Sequence, residues 1–199
     1  NPRFAEADVQ RERQVIAEEI AMYRDQPAHL AEDLLMEALW FRHPLGRPLT
    51  GSEATLTRFG PALLRRFHRN RYQAAATVLV VAGAVEKDPV LDLVRHHFGR
   101  APGHRVIRPR PATRTTPRQP VVLRAHASEQ TQLALGFRAF GRRDPRRTAL
   151  RLASIILGEN MSSRLFRRVR EQRGWAYAIS SSTVVFEDTG LLAVDAGLD

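Results

Sequence analysis

Arg170 and Tyr177 form the first pair of residues whose side chains could carry chemistry. They are seven positions apart, and Gly174 and the expected end of a helix lie between them. They therefore need not share a helical face. A guanidinium beside a phenolic hydroxyl can bind a carbonyl or stabilise a developing oxyanion. On residue types alone, a surface arginine and a strand tyrosine remain the simpler interpretation.

Glu12 and Glu19 form the second pair. They are also seven positions apart, so two helical turns place them on one face, whereas Glu18 points about 100° away. A glutamate can bind zinc, but a catalytic zinc takes about three protein ligands. Acids on an exposed helix are usually only solvated, and the spacing alone favours that interpretation.

The seven histidines do not supply the other ligands of a zinc site. No H-x-x-x-H, H-E-x-x-H or H-x-x-E-H pattern occurs in the sequence, and the adjacent His96 and His97 point about 100° apart on a helix. Nucleophile and phosphate-loop motifs such as G-x-S-x-G are absent as well. Residue types and spacing alone therefore predict neither a metal site nor a nucleophile.

The composition narrows the class of protein. The 199 residues carry 31 Lys and Arg against 21 Asp and Glu, a formal net charge of +10, and Lys87 is the single lysine. This balance suits an anionic partner, but the arginines are scattered and do not interleave with aromatics as in a base-stacking platform. Cysteine is absent, which excludes disulfides and thiolate zinc sites. No apolar run approaches the roughly 18 residues of a membrane helix.

Hydrophobic periodicity and the positions of Pro and Gly predict a chain that mixes helices with strands. A continuous β-branched run, as at 77–83, is typical of a strand buried on both faces. The predicted helices are 6–24, 30–39, 61–69, 89–98, 145–157 and a basic helix that starts at 161–163; the predicted strands are 77–83, 119–127, 131–137, 176–186 and 191–196.

An arginine- and proline-rich stretch divides the chain. Six arginines and no acid occur between Arg100 and Arg118, and no apolar period survives there. We therefore expect an α+β fold in two parts, residues 1–100 and 119–199, joined by a linker at 101–118. The first part holds only one predicted strand, which implies partner strands from elsewhere.

Five stretches in this sequence together resemble the pitrilysin/insulinase family of zinc peptidases, the inverzincins. Each is weak alone, but their shared order over some 170 residues makes the resemblance specific. It implies parts of two consecutive α/β repeats, the end of one and the start of the next, with a mixed or antiparallel sheet and helices on one face. The stretches are Gln10–Tyr23, His43–Pro48, Val80–Gly83, Met161–Phe166 and Arg170–Tyr177.

The resemblance also implies roles for the two pairs. Glu19 would be the third zinc ligand, and Glu12 would support the site without touching the metal. Arg170 and Tyr177 would hold the backbone of a bound peptide and stabilise its oxyanion at the zinc site of the opposite half. The H-x-x-E-H helix, with two zinc histidines and the general-base glutamate, is missing and would lie upstream of Asn1. Glu19 and the Arg170–Tyr177 pair should therefore lie apart within one chain.

The expected function is part of a zinc metalloendopeptidase that hydrolyses peptides or small unfolded proteins. Zn²⁺ is the expected cofactor of the full-length enzyme and is expected to be absent from this inactive fragment. The expected partners are a peptide substrate and a second half or subunit, in a homo- or heterodimer, with neither nucleic acid nor membrane. Two alternatives stay open: a non-catalytic partner subunit of a heterodimer, and a basic nucleic-acid-binding module. The sequence does not choose between bacterial periplasm and cytoplasm.

Overall fold

The computed structural model describes residues 2–99, 110–112 and 121–198. The predicted linker at 101–118 lies outside the described residues except for 110–112. Six α-helices and three strands are found among the described residues: α1 Glu6–Arg24, α2 Pro27–Leu39, α3 Glu53–Leu56, α4 Pro61–Arg71, α5 Lys87–Phe98, β1 Thr131–Ala139, α6 Arg147–Gly158, β2 Ala176–Val185 and β3 Gly190–Leu198.

The chain forms two compact units. One contains residues 1–15 and 53–109, and the other contains residues 16–52 and 110–199. A compact unit is a matter of packing, whereas a repeat is a segment of sequence, so the division into 1–100 and 119–199 stays a prediction.

Most of the predicted helices are confirmed with small shifts at their ends. The bounds of α1 agree with the predicted 6–24, and prolines occupy the first positions of α2 and α4, where the missing N–H costs no helical hydrogen bond. α5 starts at Lys87 after Glu86, so the predicted cap at Asp88 is wrong by two positions. The antiparallel sheet and the α+β class are confirmed.

Two predicted strands are wrong. Residues 77–83 and 121–127 form neither helix nor strand, and their apolar side chains are exposed: Val78 retains 87% and Leu123 retains 93% of its accessible surface. A strand is stabilised by hydrogen bonds to a neighbour. Among the described residues the only strands are β1 to β3, which pair with one another. A β-branched run without a partner therefore stays irregular.

The sheet is built around β3, its central strand. The order is β1-β3-β2 and both pairings are antiparallel. The predicted hairpin between β2 and β3 is confirmed, and it closes where the Phe186 N–H donates to the Thr189 carbonyl at 2.9 Å. Because β3 is paired along both edges, most of its residues are buried.

Helix α2 covers one face of the sheet at β1. A Cβ added at Gly136 would lie 2.6 Å from Cδ1 of Leu35 and 2.8 Å from Cδ1 of Leu39. Only glycine permits so close an approach without repacking. The guanidinium of Arg138 also donates to the Leu39 carbonyl, which ties the end of the helix to the same strand.

Helix α6 covers the opposite face at β2. The register places Gly136 and Ser182 on one face, so the adjacent Ser181 points to the other. A Cβ at Gly158 of α6 would lie 2.6 Å from the Ser181 backbone nitrogen, and the Ser181 hydroxyl donates to the Ser154 carbonyl at 2.8 Å. Within the predicted second repeat α6 packs on one face, while α2, from residues 1–100, covers the other.

The segment after α2 is fixed by buried side chains. Trp40 is fully buried and lies edge-on to Phe186 at 5.5 Å between ring centroids. His43 Nδ1 accepts the Leu45 N–H at 3.2 Å, so Nε2 carries the proton and donates to the Arg110 carbonyl at 3.0 Å. Both ring nitrogens of His43 are therefore engaged in holding the loop.

Asp195 lies on β3, on the sheet face that α2 covers, opposite Ala134 and Ser180. Burial raises the pKa of its carboxyl above the ordinary value of 3.8, and the carboxylate of Glu32 raises this pKa further. A raised pKa in the folded state means that ionisation disfavours folding. The stabilising contribution is present below pH 3.8 and is lost as the pH rises through the folded-state pKa.

The substitution Asp195→Asn is therefore expected to raise the thermal midpoint at pH 7, because it removes a half-buried carboxylate beside Glu32. The gain should shrink towards zero near pH 3, where the native carboxyl is protonated in both states. Melting curves followed by circular dichroism from pH 3 to 8 measure this, with the exposed Asp92→Asn as the matched control. A lower midpoint at pH 7 for Asp195→Asn would contradict the account.

Candidate functional site

The residues from Phe166 to Tyr177 bring the first predicted pair together. Phe166–Glu171 form a short π-helix, in which the Gln172 N–H donates to the Arg167 carbonyl, five residues back, at 3.0 Å. π-turns of this kind are rare and often occur at functional sites. The wider turn changes which side chains are neighbours along the helix.

Arg170 is held over two aromatic rings. Its Cζ lies 4.8 Å from the centroid of Phe166 and 5.9 Å from the centroid of Tyr177. Both distances are within the range of cation–π attraction. The guanidinium edges stay free to donate hydrogen bonds, because a cation over a ring uses its face.

Gly174 reverses the chain between the two residues. Its φ is +65°, in the left-handed region that disfavours side chains with a Cβ. Its N–H donates to the Arg170 carbonyl at 3.0 Å, and the Trp175 N–H donates to the Val169 carbonyl at 3.1 Å. The glycine thus ends the helix at a fixed position and directs the chain into β2.

Tyr177 occupies a bulge in β2. Ala176 is opposite Leu198 and Ala178 is opposite Gly197, so Tyr177 is the extra residue in its strand. A bulge of this kind redirects a side chain and is frequent next to active sites. Tyr177 retains 67% of its accessible surface, and its ring lies beneath the Arg170 guanidinium.

These contacts give an exposed pair of hydrogen-bond donors. Five arginine N–H groups and one phenolic O–H are available at one place on the surface. Neither side chain donates to another described residue. Such a pair can bind a carbonyl oxygen and stabilise it more strongly when it becomes an oxyanion.

Glu12 and Glu19 lie on α1 and are both exposed. Val9, Ile16 and Ile20 form the more buried side of this helix. No hydrogen bond or ion pair joins either glutamate to another described residue, and Glu19 makes no ion pair with Arg170. Their roles as ligand and supporting acid stay predictions.

The described residues do not form a zinc site. No group of three or more His, Asp or Glu side chains within the described ranges is placed to hold a metal ion. Glu19 alone supplies one carboxylate, whereas catalytic zinc takes about three protein ligands. We therefore derive no chemical step through zinc from this chain.

Three features of the site had little signal in the sequence. The π-helix and the bulge at Tyr177 depend on hydrogen bonds to other segments, which local residue types do not specify. The third is the concave surface on which Arg164, Arg167 and Arg168 meet. Their helical spacing could have revealed it.

The chain matches a described peptidase family over most of its length. Residues 58–199 match the model of the Peptidase M16 inactive domain. An uncharacterized zinc protease of Mycobacterium tuberculosis is 41% identical over 197 residues, which cover 98% of this chain and 45% of the relative. The chain therefore spans about half the length of the curated relatives it matches.

Solved structures show the same fold. A protease from Helicobacter pylori superposes with a TM-score of 0.83 at 22% identity, covering 98% of this chain and 48% of that one. A peptidase M16 inactive domain from Pseudomonas fluorescens superposes with a TM-score of 0.82 at 23% identity, covering 100% of this chain and 48% of that one. None of the described helices is long and apolar enough to cross a bilayer.

The position of Gly174 leads to a stability prediction. A Cβ at residue 174 would meet no atom within 4 Å, so Gly174→Ala introduces only the backbone cost of a left-handed alanine, about 1–2 kcal/mol. Gly174→Asn should cost less, because asparagine tolerates this region. Urea unfolding of both variants measures the difference. An alanine variant as stable as the native protein would contradict the assigned turn.

Proposed function

The chain belongs to the M16 peptidase family, also called pitrilysin/insulinase, and we propose from this membership that it forms part of a zinc-dependent metalloendopeptidase. The substrates would be peptides or small unfolded proteins. The observation that carries the proposal is the exposed Arg170–Tyr177 pair, set at a π-helix end and a strand bulge. Because the chain covers 45% of its zinc protease relative, we propose that it acts within a longer protein.

The proposed contribution of this chain is to bind and orient the peptide. The Tyr177 hydroxyl and the Arg170 guanidinium would donate to backbone oxygens of an extended substrate. Backbone carbonyls occur in every peptide, so these donors would accept many side-chain sequences. The attraction strengthens when a carbonyl oxygen becomes charged, and this difference between ground and transition state is what accelerates a reaction.

Zinc, when bound in the intact enzyme, would supply an activated water. In the proposal Glu19 is one ligand, and Glu12 holds the same face of α1 in place. The remaining ligands would come from outside this chain, since the described residues do not provide them.

The pair and the ligand would serve different active sites. In the described residues Arg170 contacts Phe166 and Tyr177, and no ion pair connects it to Glu19. We propose that Arg170 and Tyr177 act on a peptide bound to the zinc site of a second half or subunit. The two halves would form one enclosed site only when assembled.

A second candidate is a non-catalytic partner subunit. The matched family model describes an inactive domain, which favours a segment that supports catalysis elsewhere. In that case Arg170 and Tyr177 would still bind the peptide, but Glu19 would bind no metal. Zinc content of the longer protein therefore separates the two candidates.

The proposal predicts different effects for the two kinds of residue in the longer protein. Tyr177→Phe should lower kcat/KM by about 100-fold, because one oxyanion donor is lost, with zinc content unchanged. Glu19→Gln should lower both zinc content and activity. Hydrolysis of a fluorogenic peptide and metal analysis by mass spectrometry measure these quantities.

Tyr72→Phe is the matched control, since Tyr72 is an exposed tyrosine at the end of α4. It removes the same hydroxyl and should leave kcat/KM unchanged. Equal activity of Tyr177→Phe and the native enzyme would contradict the substrate role of the pair. Full zinc content in Glu19→Gln would contradict the assigned ligand.

A further inference from the structure

A concave surface separate from the Arg170–Tyr177 pair is lined almost entirely by cationic and amide side chains. We name it the arginine pocket. It encloses about 320 Å³ and is lined by Ser162, Arg164, Arg167, Arg168 and Gln172. This volume lies at the lower end of the roughly 300–1,000 Å³ typical of small-ligand pockets.

The arginines meet because of their spacing. Arg164, Arg167 and Arg168 are three and four residues apart at the start of the helical segment, and Gln172 lies a further turn along. Residues at these separations are neighbours on one helical face. Arg170 lies over Phe166 and Tyr177 instead, so it is not part of this lining.

The positive charge of the pocket is not neutralised within the described part of the chain. None of its three guanidinium groups makes an ion pair or hydrogen bond with another described residue. By contrast, Arg143, Arg146 and Arg151 each pair with a carboxylate: Glu187, Asp144 and Glu159 respectively. Three neighbouring cations repel one another, and an anion between them would relieve that repulsion.

We propose that the arginine pocket binds a small polyphosphate anion. A guanidinium presents two parallel N–H donors that match the oxygens of a phosphate group. Three such groups, with the Gln172 amide, can contact several phosphate oxygens at once. The Ser162 hydroxyl only borders the site, because it donates to Asn160 Oδ1 at 2.7 Å.

The lining favours a compact anion over a nucleic acid strand. No aromatic ring is among the five residues of the pocket, whereas proteins that hold single strands stack bases on aromatic side chains. The aromatic rings of Trp175 and Tyr177 lie instead against Arg173 and Arg170. The pocket therefore offers contacts for phosphate oxygens and none for a base.

Calorimetric titration of the purified chain with sodium tripolyphosphate tests the proposal. We expect saturable binding at one site per chain that weakens as salt rises. Arg168→Gln should reduce the affinity at least tenfold, because a charge-assisted hydrogen bond is lost. Arg168→Lys should retain part of the affinity, since it keeps the charge but loses the paired donors.

The matched control is Arg66→Gln, which removes the same charge from an exposed position on α4. It should leave the affinity for tripolyphosphate unchanged. Absence of binding, or an equal loss in Arg66→Gln and Arg168→Gln, would overturn the proposal. Tighter binding of a short single-stranded oligonucleotide through the same arginines would also overturn it, in favour of nucleic acid. Circular dichroism melts of each variant confirm that it is folded.

Discussion

The antiparallel pairing of β3 with both of its neighbours is the interaction on which the rest of this structure depends. It satisfies the backbone of β3 along both edges and buries most of its side chains. The two faces of the sheet then need cover, and α2 supplies it at β1 while α6 supplies it at β2. The bulge at Tyr177 exists only because β2 is held in register against Gly197 and Leu198. The geometry of the proposed peptide-binding pair therefore depends on a strand that carries neither residue.

The sequence predicted what local patterns can specify. The bounds of α1 follow from one apolar stripe of period 3.6, and prolines at residues 27 and 61 mark two helix starts. The hairpin of β2 and β3 follows from alternation around the turn before Gly190. In each case the information lies within a few residues of the feature. Gly174 belongs to the same group, because a left-handed position selects glycine directly.

Features that depend on distant segments could not be predicted this way. The run at 77–83 has the composition of a buried strand but has no partner strand among the described residues, so its side chains stay exposed. The packing of α2 against Gly136 joins residues about a hundred positions apart. The bulge at Tyr177 is set by register across two strands. Family resemblance singled out Arg170 and Tyr177 where spacing alone did not, because the turn between them breaks any simple periodicity.

The account separates peptide binding from metal binding within one chain. An exposed arginine and tyrosine are positioned together, while Glu19 lies on another element without further metal ligands in the described ranges. Zinc titration of the purified 199-residue chain, with a fluorogenic peptide assay on the same sample, tests this separation most directly. The account predicts no stoichiometric tight zinc binding and no peptide hydrolysis. One zinc bound per chain, together with cleavage that a chelator abolishes, would contradict it.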